Sequence, residues 1–426
     1  MTATTAINAI TDPASEQTRL YEVCDYYDAE SLLTGDERRI LCRLRSFLDE
    51  KARPLLADHW ERGEFPTELV QPLIDLDLME PAELTGAAAA AGAAGADGAH
   101  VGAGSVPARG IYQGFRIFEL ARTDASLATW YTSQAGLFRT AIRVGASAEQ
   151  QREWMPKVID FSLKGVFSLT EPESGSDIAG GLSTTARREG NSWIIDGAKR
   201  WIGGAASADV LAVFARDVAD GQVKAFLVDR QADGVTLEKI HRKTSLRMMQ
   251  NAHITLDGVR VPESMRLHNV NSFRDVAAML RAMRSDVAWI AAGVQAGAFE
   301  AALRYVKERQ QFGRSLGSFQ LVQEKLARML GNVTSALSLV VRLTEQQAKG
   351  IYRDQDSALA KMQTSLLMRE TVALAREVVG GNGITLETDV ARFHADAEAI
   401  YSYEGTHEIN ALIIGRALTG ESAFTR

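Results

Sequence analysis

Residues 164–204, KGVFSLTEPESGSDIAGGLSTTARREGNSWIIDGAKRWIGG, decide the fold, because the period of the apolar residues changes here. Val166 to Thr170 reads as a short strand that runs into a turn-rich segment, Glu171 to Gly181. Two further strands, 184–188 and 192–195, are separated by Glu189-Gly190-Asn191, a hairpin signal. Segments 210–214, 225–228, 235–240 and 253–256 extend the series, and Asp257-Gly258 reads as another turn. Six or seven short strands without intervening helices predict a small antiparallel β domain.

On either side the period is helical. Upstream, Asp36 is placed to cap a helix through Leu41, Leu44 and Phe47; helical stretches also cover 115–132 and begin again at Ala148. Between them, 86–104 is almost all Ala and Gly, an insertion expected to carry no chemistry. Downstream, long amphipathic stretches cover 276–310, 319–347 and 356–379, broken by Gly313, Gly317 and Gly350. The expected class is therefore α+β. An N-terminal helical domain (1–160) precedes a middle antiparallel β domain (161–271) and a C-terminal four-helix-bundle-like domain (272–426).

Composition narrows the function classes. The chain has 426 residues, too many for one ordinary core. Its 47 Lys and Arg against 54 Asp and Glu give a net charge of -7, which offers no reason to expect a nucleic-acid groove or an anionic membrane surface. Two cysteines, Cys24 and Cys42, exclude a disulfide scaffold and point to a reducing compartment. Seven scattered histidines form no metal-ligand pattern, so no metal is expected. The start lacks a basic segment followed by an apolar run, no stretch of about 20 uncharged apolar residues occurs, and the end is no peroxisomal tripeptide. A cytoplasmic protein without a membrane span is expected.

Several motifs carry possible chemistry, each with a plainer alternative. In 167–177, FSLTEPESGSD, a strand end is followed by Thr170, Gly175 and Ser176, which suit a polar ring or phosphate, or form an ordinary polar turn. Trp201-Ile202-Gly203-Gly204 sets an aromatic beside flexible backbone, as a core residue or as a wall for a flat cofactor. Gly380-Gly381-Asn382-Gly383 follows a long helix rather than a strand, so it lacks the context of a dinucleotide fingerprint and fits a helix C-cap. Arg309 ends a helix, where it complements the helix dipole. Within 401–407, YSYEGTH, Glu404 lies between aromatics and a glycine. Semi-buried, it would have the raised pKa of a general base; exposed, it is a common loop glutamate.

Taken together and in order, LTEPESGSD (169–177), KRWIGG (199–204), ERQQFG (308–313), GGNG (380–383) and YEGTHEINALIIGRALTG (403–420) resemble the flavin-dependent acyl-CoA dehydrogenase family. The resemblance covers about residues 26 to 424 apart from the insertion. With SLRMMQNAHITLDGVRVPE (245–263), it is closest to the branch of glutaryl-CoA dehydrogenases and plant-type short-chain acyl-CoA oxidases.

The resemblance implies that Glu404 removes an α-proton from an acyl-CoA thioester while the β-hydrogen passes as hydride to flavin N5, giving a trans-2-enoyl-CoA. It implies FAD contacts at Phe167, Leu169, Thr170, Gly175, Ser176, Trp201, Ile202, Gly203, Thr406 and Glu408. Arg309, Gln320 and the run Glu377 to Gly381, including Gly380, would reach the FAD of a neighbouring subunit in a homotetramer. Ser176, Arg284 and Gly405 match acyl-CoA contacts. Electrons would leave to an electron-transfer flavoprotein or similar acceptor; an oxidase using O2 is the alternative. Many members carry threonine at the place of Gly203, which leaves only a backbone N–H toward the flavin here. Ala121 and Ala128 stand where glutaryl-CoA dehydrogenases hold the distal carboxylate with a glutamate and an arginine, so the expected acyl chain is short or medium and uncharged.

Overall fold

The computed structural model describes residues 19–84 and 110–423. The Ala/Gly-rich insertion 86–104 lies outside the described residues. The first long helix, Gly35–Phe47, is capped by Thr34 and not by Asp36. Thr34 Oγ1 accepts the Glu37 N–H at 3.3 Å, and the Glu37 carboxylate accepts the Thr34 N–H at 2.8 Å. That reciprocal box satisfies two orphan donors, whereas Asp36 only places negative charge in the first turn. The expected helix 115–132 is two helices, Gly110–Thr123 and Ala125–Thr132. Asp124 breaks it by taking extended backbone and accepting the Leu127 N–H at 3.0 Å. Its other oxygen pairs with Arg392, which ties the first helical domain to the last. One π-helical segment, Ser133–Phe138, then leads into Arg139–Gly145 and Ala148–Ile159.

The middle of the chain forms strands β1 (Gly165–Ser168), β2 (Thr185–Glu189), β3 (Ser192–Gly203), β4 (Val210–Asp217), β5 (Val223–Asp229), β6 (Val235–Lys239) and β7 (Asn251–Pro262). Their order is β1-β4-β2-β3-β7-β6, with β5 on β4. Most pairs are antiparallel, but β4 runs parallel to both β1 and β2, so the sheet is mixed and not purely antiparallel as expected. The cause is the turn-rich 169–184 segment. It lifts the chain out of the sheet after β1, and β4 fills the place between β1 and β2. Asp257-Gly258 is not a turn either. β7 runs through it, Gly258 at φ 60° donates its N–H to Asp196 Oδ1 at 2.7 Å, and β3 shifts register opposite it.

One sheet face carries Val166, Ile195, Leu211, Val213, Phe226 and Ile254. The other, with Ala212, Phe214, Ala225 and Leu227, packs on Phe138, Ile142 and Trp154. The third region comprises Phe273–Glu308, Gln320–Gln347, Asp354–Val379, Val390–Ser402 and His407–Thr419. Phe273–Glu308 lies close on Gly110–Thr123 because Gly293 has no side chain; a Cβ there would sit 2.5 Å from the Phe118 carbonyl oxygen. Gln320–Gln347 is long and apolar enough, by length and composition alone, to cross a membrane. Its Met329, Val333, Leu337 and Val340 are buried in the bundle core instead.

Candidate active site

Two residues in left-handed backbone, Glu404 (φ 53°) and Gly405 (φ 87°), kink the loop between the last two helices. Such a kink persists only where its surroundings hold it. Fully buried Lys361 donates through Nζ to the carbonyls of Tyr401 and Gly405, at 2.7 and 2.8 Å. Asn410 Nδ2 donates to the carbonyls of Gly405 and Thr406, at 2.8 and 3.0 Å. Thr406 caps the following helix by accepting the Ile409 N–H, and the rings of Tyr401 and His407 stack.

The loop sets Glu404 with its Oε2 buried and without a hydrogen-bond partner. Burial raises the Glu404 carboxyl above the usual carboxylate range, while the charges of Arg284 and Lys361 oppose the shift. Lys361 is pulled down to about 8 by its own burial, against the attraction of Glu404. The Glu404 N–H makes no hydrogen bond with a described residue.

A second wall comes from the sheet. Thr170 and Arg200 bond each other's backbone: the Arg200 N–H donates to the Thr170 carbonyl at 2.9 Å, and Thr170 Oγ1 donates to the Arg200 carbonyl at 2.6 Å. This brings the 167–176 segment beside Trp201, which is left-handed (φ 69°) and 53 % exposed, with the Arg200 guanidinium over its ring. Beneath lies a buried ion pair. Lys199 Nζ meets Glu171 Oε1 at 2.7 Å, and the same carboxylate accepts from the Ser183 and Thr184 N–H groups. Leu169 and Ile202 are core residues, whereas Gly175 and Ser176 are exposed. A Cβ on Gly203 would lie 2.3 Å from Met249 Cε, so the space of a side chain at 203 belongs to Met249.

The two walls meet through the π segment. Ser133 Oγ lies 3.7 Å from a Cβ built on Gly204, Phe138 fills the space over Gly165, and Asp286 of Phe273–Glu308 touches Gly136. Arg309, Gln320, Glu377, Gly380 and Gly381 gather elsewhere, at one exposed end of the bundle. There Asn382 Nδ2 donates to Tyr305 Oη at 3.0 Å, and Lys325 pairs with Glu377 at 3.3 Å. Gly380 does cap a helix, as its sequence context suggested, with φ 67°. No hydrogen bond or ion pair among the described residues joins this end to Thr170, Trp201 or Glu404. Lys361, Asn410, Met249 and Asp286 were missed by sequence reasoning. Only Asn410, within the 403–420 motif, and Met249, within 245–263, carried any signal.

Family models for the N-terminal, middle and C-terminal domains of acyl-CoA dehydrogenases match residues 34–162, 166–259 and 273–419. The chain belongs to the acyl-CoA dehydrogenase family. It is 30 % identical over 403 residues to the mitochondrial short-chain specific acyl-CoA dehydrogenase of Mus musculus, covering 93 % of this chain and 92 % of that one. The CarC subunit of the caffeyl-CoA reductase-Etf complex of Acetobacterium woodii is 31 % identical over 304 residues, 70 % of this chain and 80 % of its own. A glutaryl-CoA dehydrogenase from Mycobacterium smegmatis, solved in complex with FADH2, superposes with a TM-score of 0.84 at 31 % identity, covering 94 % of this chain and 99 % of that one.

This acyl-CoA dehydrogenase homologue is thus an FAD-dependent oxidoreductase acting on acyl-CoA, and its residues suit the cofactor. Gly175, Gly380 and Gly381 present backbone with open space where a Cβ would be, and Trp201 offers a half-exposed ring at the strand end.

Proposed function

We propose that the chain catalyses α,β-dehydrogenation of an acyl-CoA with a short or medium uncharged acyl group, giving a trans-2-enoyl-CoA, with Glu404 as the base. The observation that supports this most is the buried, unpartnered Oε2 of Glu404 beside its own uncommitted N–H. Burial destabilises the carboxylate, so taking a proton from the α-carbon relieves that cost. The charges of Arg284 and Lys361 oppose the rise in its pKa and favour the ionised base. The Glu404 N–H would donate to the thioester oxygen, where enolate charge develops in the transition state. FAD, when bound, supplies the acceptor for the β-hydrogen and its electron pair. Phe167, Leu169, Thr170, Gly175, Ser176, Trp201, Ile202, Gly203, Thr406 and Glu408 would hold it, and Ser176, Arg284 and Gly405 would hold the thioester.

Arg309, Gln320, Glu377, Gly380 and Gly381 would complete the FAD site of a neighbouring copy in a cytoplasmic homotetramer. Their remoteness from Glu404 supports this, as does the apolar exposure beside them, Phe312 at 91 % and Leu321 at 76 %. The likeness to a subunit of an Etf complex supports an electron-transfer flavoprotein as acceptor.

Glutaryl-CoA is disfavoured. Ala121 and Ala128 are fully buried and carry no charge, so neither can pair with a substrate carboxylate. The test is anaerobic addition of acyl-CoA to the yellow holoprotein. Butyryl-CoA is expected to bleach the flavin at least about tenfold faster than glutaryl-CoA. The reverse order would overturn the uncharged acyl group, and no bleaching by either would overturn the reaction.

A further inference from the structure

The helix Ala125–Thr132 and the π segment after it form one side of the space between the Glu404 loop and Phe273–Glu308. The Tyr403 hydroxyl lies beside Thr129 at one end of this side. At the other end, Asp286 Oδ2 lies 2.5 Å from a Cβ built on Gly136, with Thr132 next to it. Thr129, Thr132 and Gly136 follow helical spacing on one face, and 129 to 136 spans roughly 10 Å at the helical rise. Asp286 therefore sits up to two turns beyond the base, in space that the missing side chain of Gly136 leaves to it.

The Asp286 side chain makes no hydrogen bond or ion pair with any described residue. Most of the donors around it bond other groups. Thr129, Thr132 and Ser133 donate to the carbonyls of Ala125, Ala128 and Trp130 at 2.8, 2.8 and 2.7 Å. Gln134 donates to the carbonyls of Val158 and Leu163. Arg116 donates to the Leu78 carbonyl at 2.6 Å, and Arg139 pairs with Glu80. Arg116 Nε and Arg139 Nε are buried without a partner, yet among the described residues no donor at this end bonds the Asp286 carboxylate. Burial raises the Asp286 carboxyl to about 6; Arg116 and Arg143 oppose that shift, and Glu404 adds to it.

Resting on the acyl-CoA reading above, we propose that Asp286 determines specificity at the far end of the acyl slot, selecting a chain that carries a neutral hydrogen-bond donor, a hydroxyl or an amide N–H. A plain hydrocarbon would leave the carboxylate buried and unpaired. A distal carboxylate would meet a like charge. An ammonium would pair with the carboxylate but meet the positive potential of Arg116, Arg139 and Arg143.

The test compares kcat/KM of the holoenzyme for straight-chain acyl-CoAs of five to eight carbons with that for their ω-hydroxy counterparts. At the matching length, the hydroxylated thioester is expected to be preferred at least about tenfold. Asp286→Val is expected to invert the preference, gaining on the plain chain and losing on the hydroxylated one. Asp286→Asn, which keeps the shape and an acceptor oxygen, is expected to retain part of it. Both variants are compared at equal flavin content. If no chain length shows a preference, or Asp286→Val lowers both substrates alike, the assignment of Asp286 is overturned while the dehydrogenation stands. If no thioester bleaches the flavin, the dehydrogenation reading falls and this one with it.

Discussion

Lys361 shows how one side chain both shapes and tunes the base. Two of its three donors fix the carbonyls that flank Glu404, and its charge lowers a carboxyl that burial raises. Glu404 must be ionised to take a proton, so activity is lost as pH falls through its raised pKa. Lys361→Met removes a lowering charge, and the acid limb of the kcat/KM profile is predicted to move to higher pH with kcat down at least about tenfold. An unmoved limb would show that the lysine only holds the loop. Ala128 makes the converse case. It is fully buried, so Ala128→Arg brings in a long cation without a partner and is predicted to cut butyryl-CoA turnover at least about tenfold in steady-state assays. Improved turnover would contradict the uncharged slot. Neither Lys361 nor Asp286 was legible in the sequence. Each lies in the middle of a long helix, where a charged residue reads as a solvated face, and only the packing of a distant segment against it makes it part of a site.

At the scale of elements, the motif 169–177 is held by what lies beneath it. Lys199 on β3 neutralises Glu171, whose carboxyl is pushed down to about 2 by that lysine and by the Ser183 and Thr184 donors. Lys199→Met keeps the bulk and leaves Glu171 buried without its cation. Such a break costs about 3–5 kcal/mol, so urea denaturation is predicted to show a loss of that order, together with weaker FAD retention. Unchanged stability would mean that the pair is dispensable. The strands at 166–170 and 192–195 and the hairpin between β2 and β3 were legible because their alternation and turn residues are local. The passage of β7 through Asp257-Gly258 was not, because a bulge opposite Asp196 and a turn share the same dipeptide. The Thr34 cap was legible in principle, since Thr34 and Glu37 carry the spacing of a capping box. The break at Asp124 has the same kind of signal, a short polar side chain able to bond the N–H three residues on.

For the whole molecule, the α–β–α order was legible from the two changes of period, and the mixed sheet was not, because the place of β4 depends on a loop leaving the sheet. Buried charges make stability depend on pH in two opposed ways. Glu119, held by Arg45 and Arg122, and Glu171 have carboxyls below the usual range. They stabilise above the unfolded pKa of about 4, and that contribution is lost as pH falls through their folded values. Asp286, at about 6, and Asp396 are raised by burial. Their contribution is fully present below about 4 and is lost as pH rises through their folded values. Thermal unfolding of the holoprotein is therefore predicted to peak on the acid side of neutrality, between about pH 4 and 6. A midpoint rising steadily from pH 4 to 8 would contradict this balance. Whether Glu404 is the base in an intact flavin and thioester site is tested by anaerobic flavin reduction in Glu404→Gln. This variant is predicted to keep its FAD and bind butyryl-CoA, yet to bleach at least about a thousandfold more slowly than the parent. Bleaching at the parent rate would contradict it.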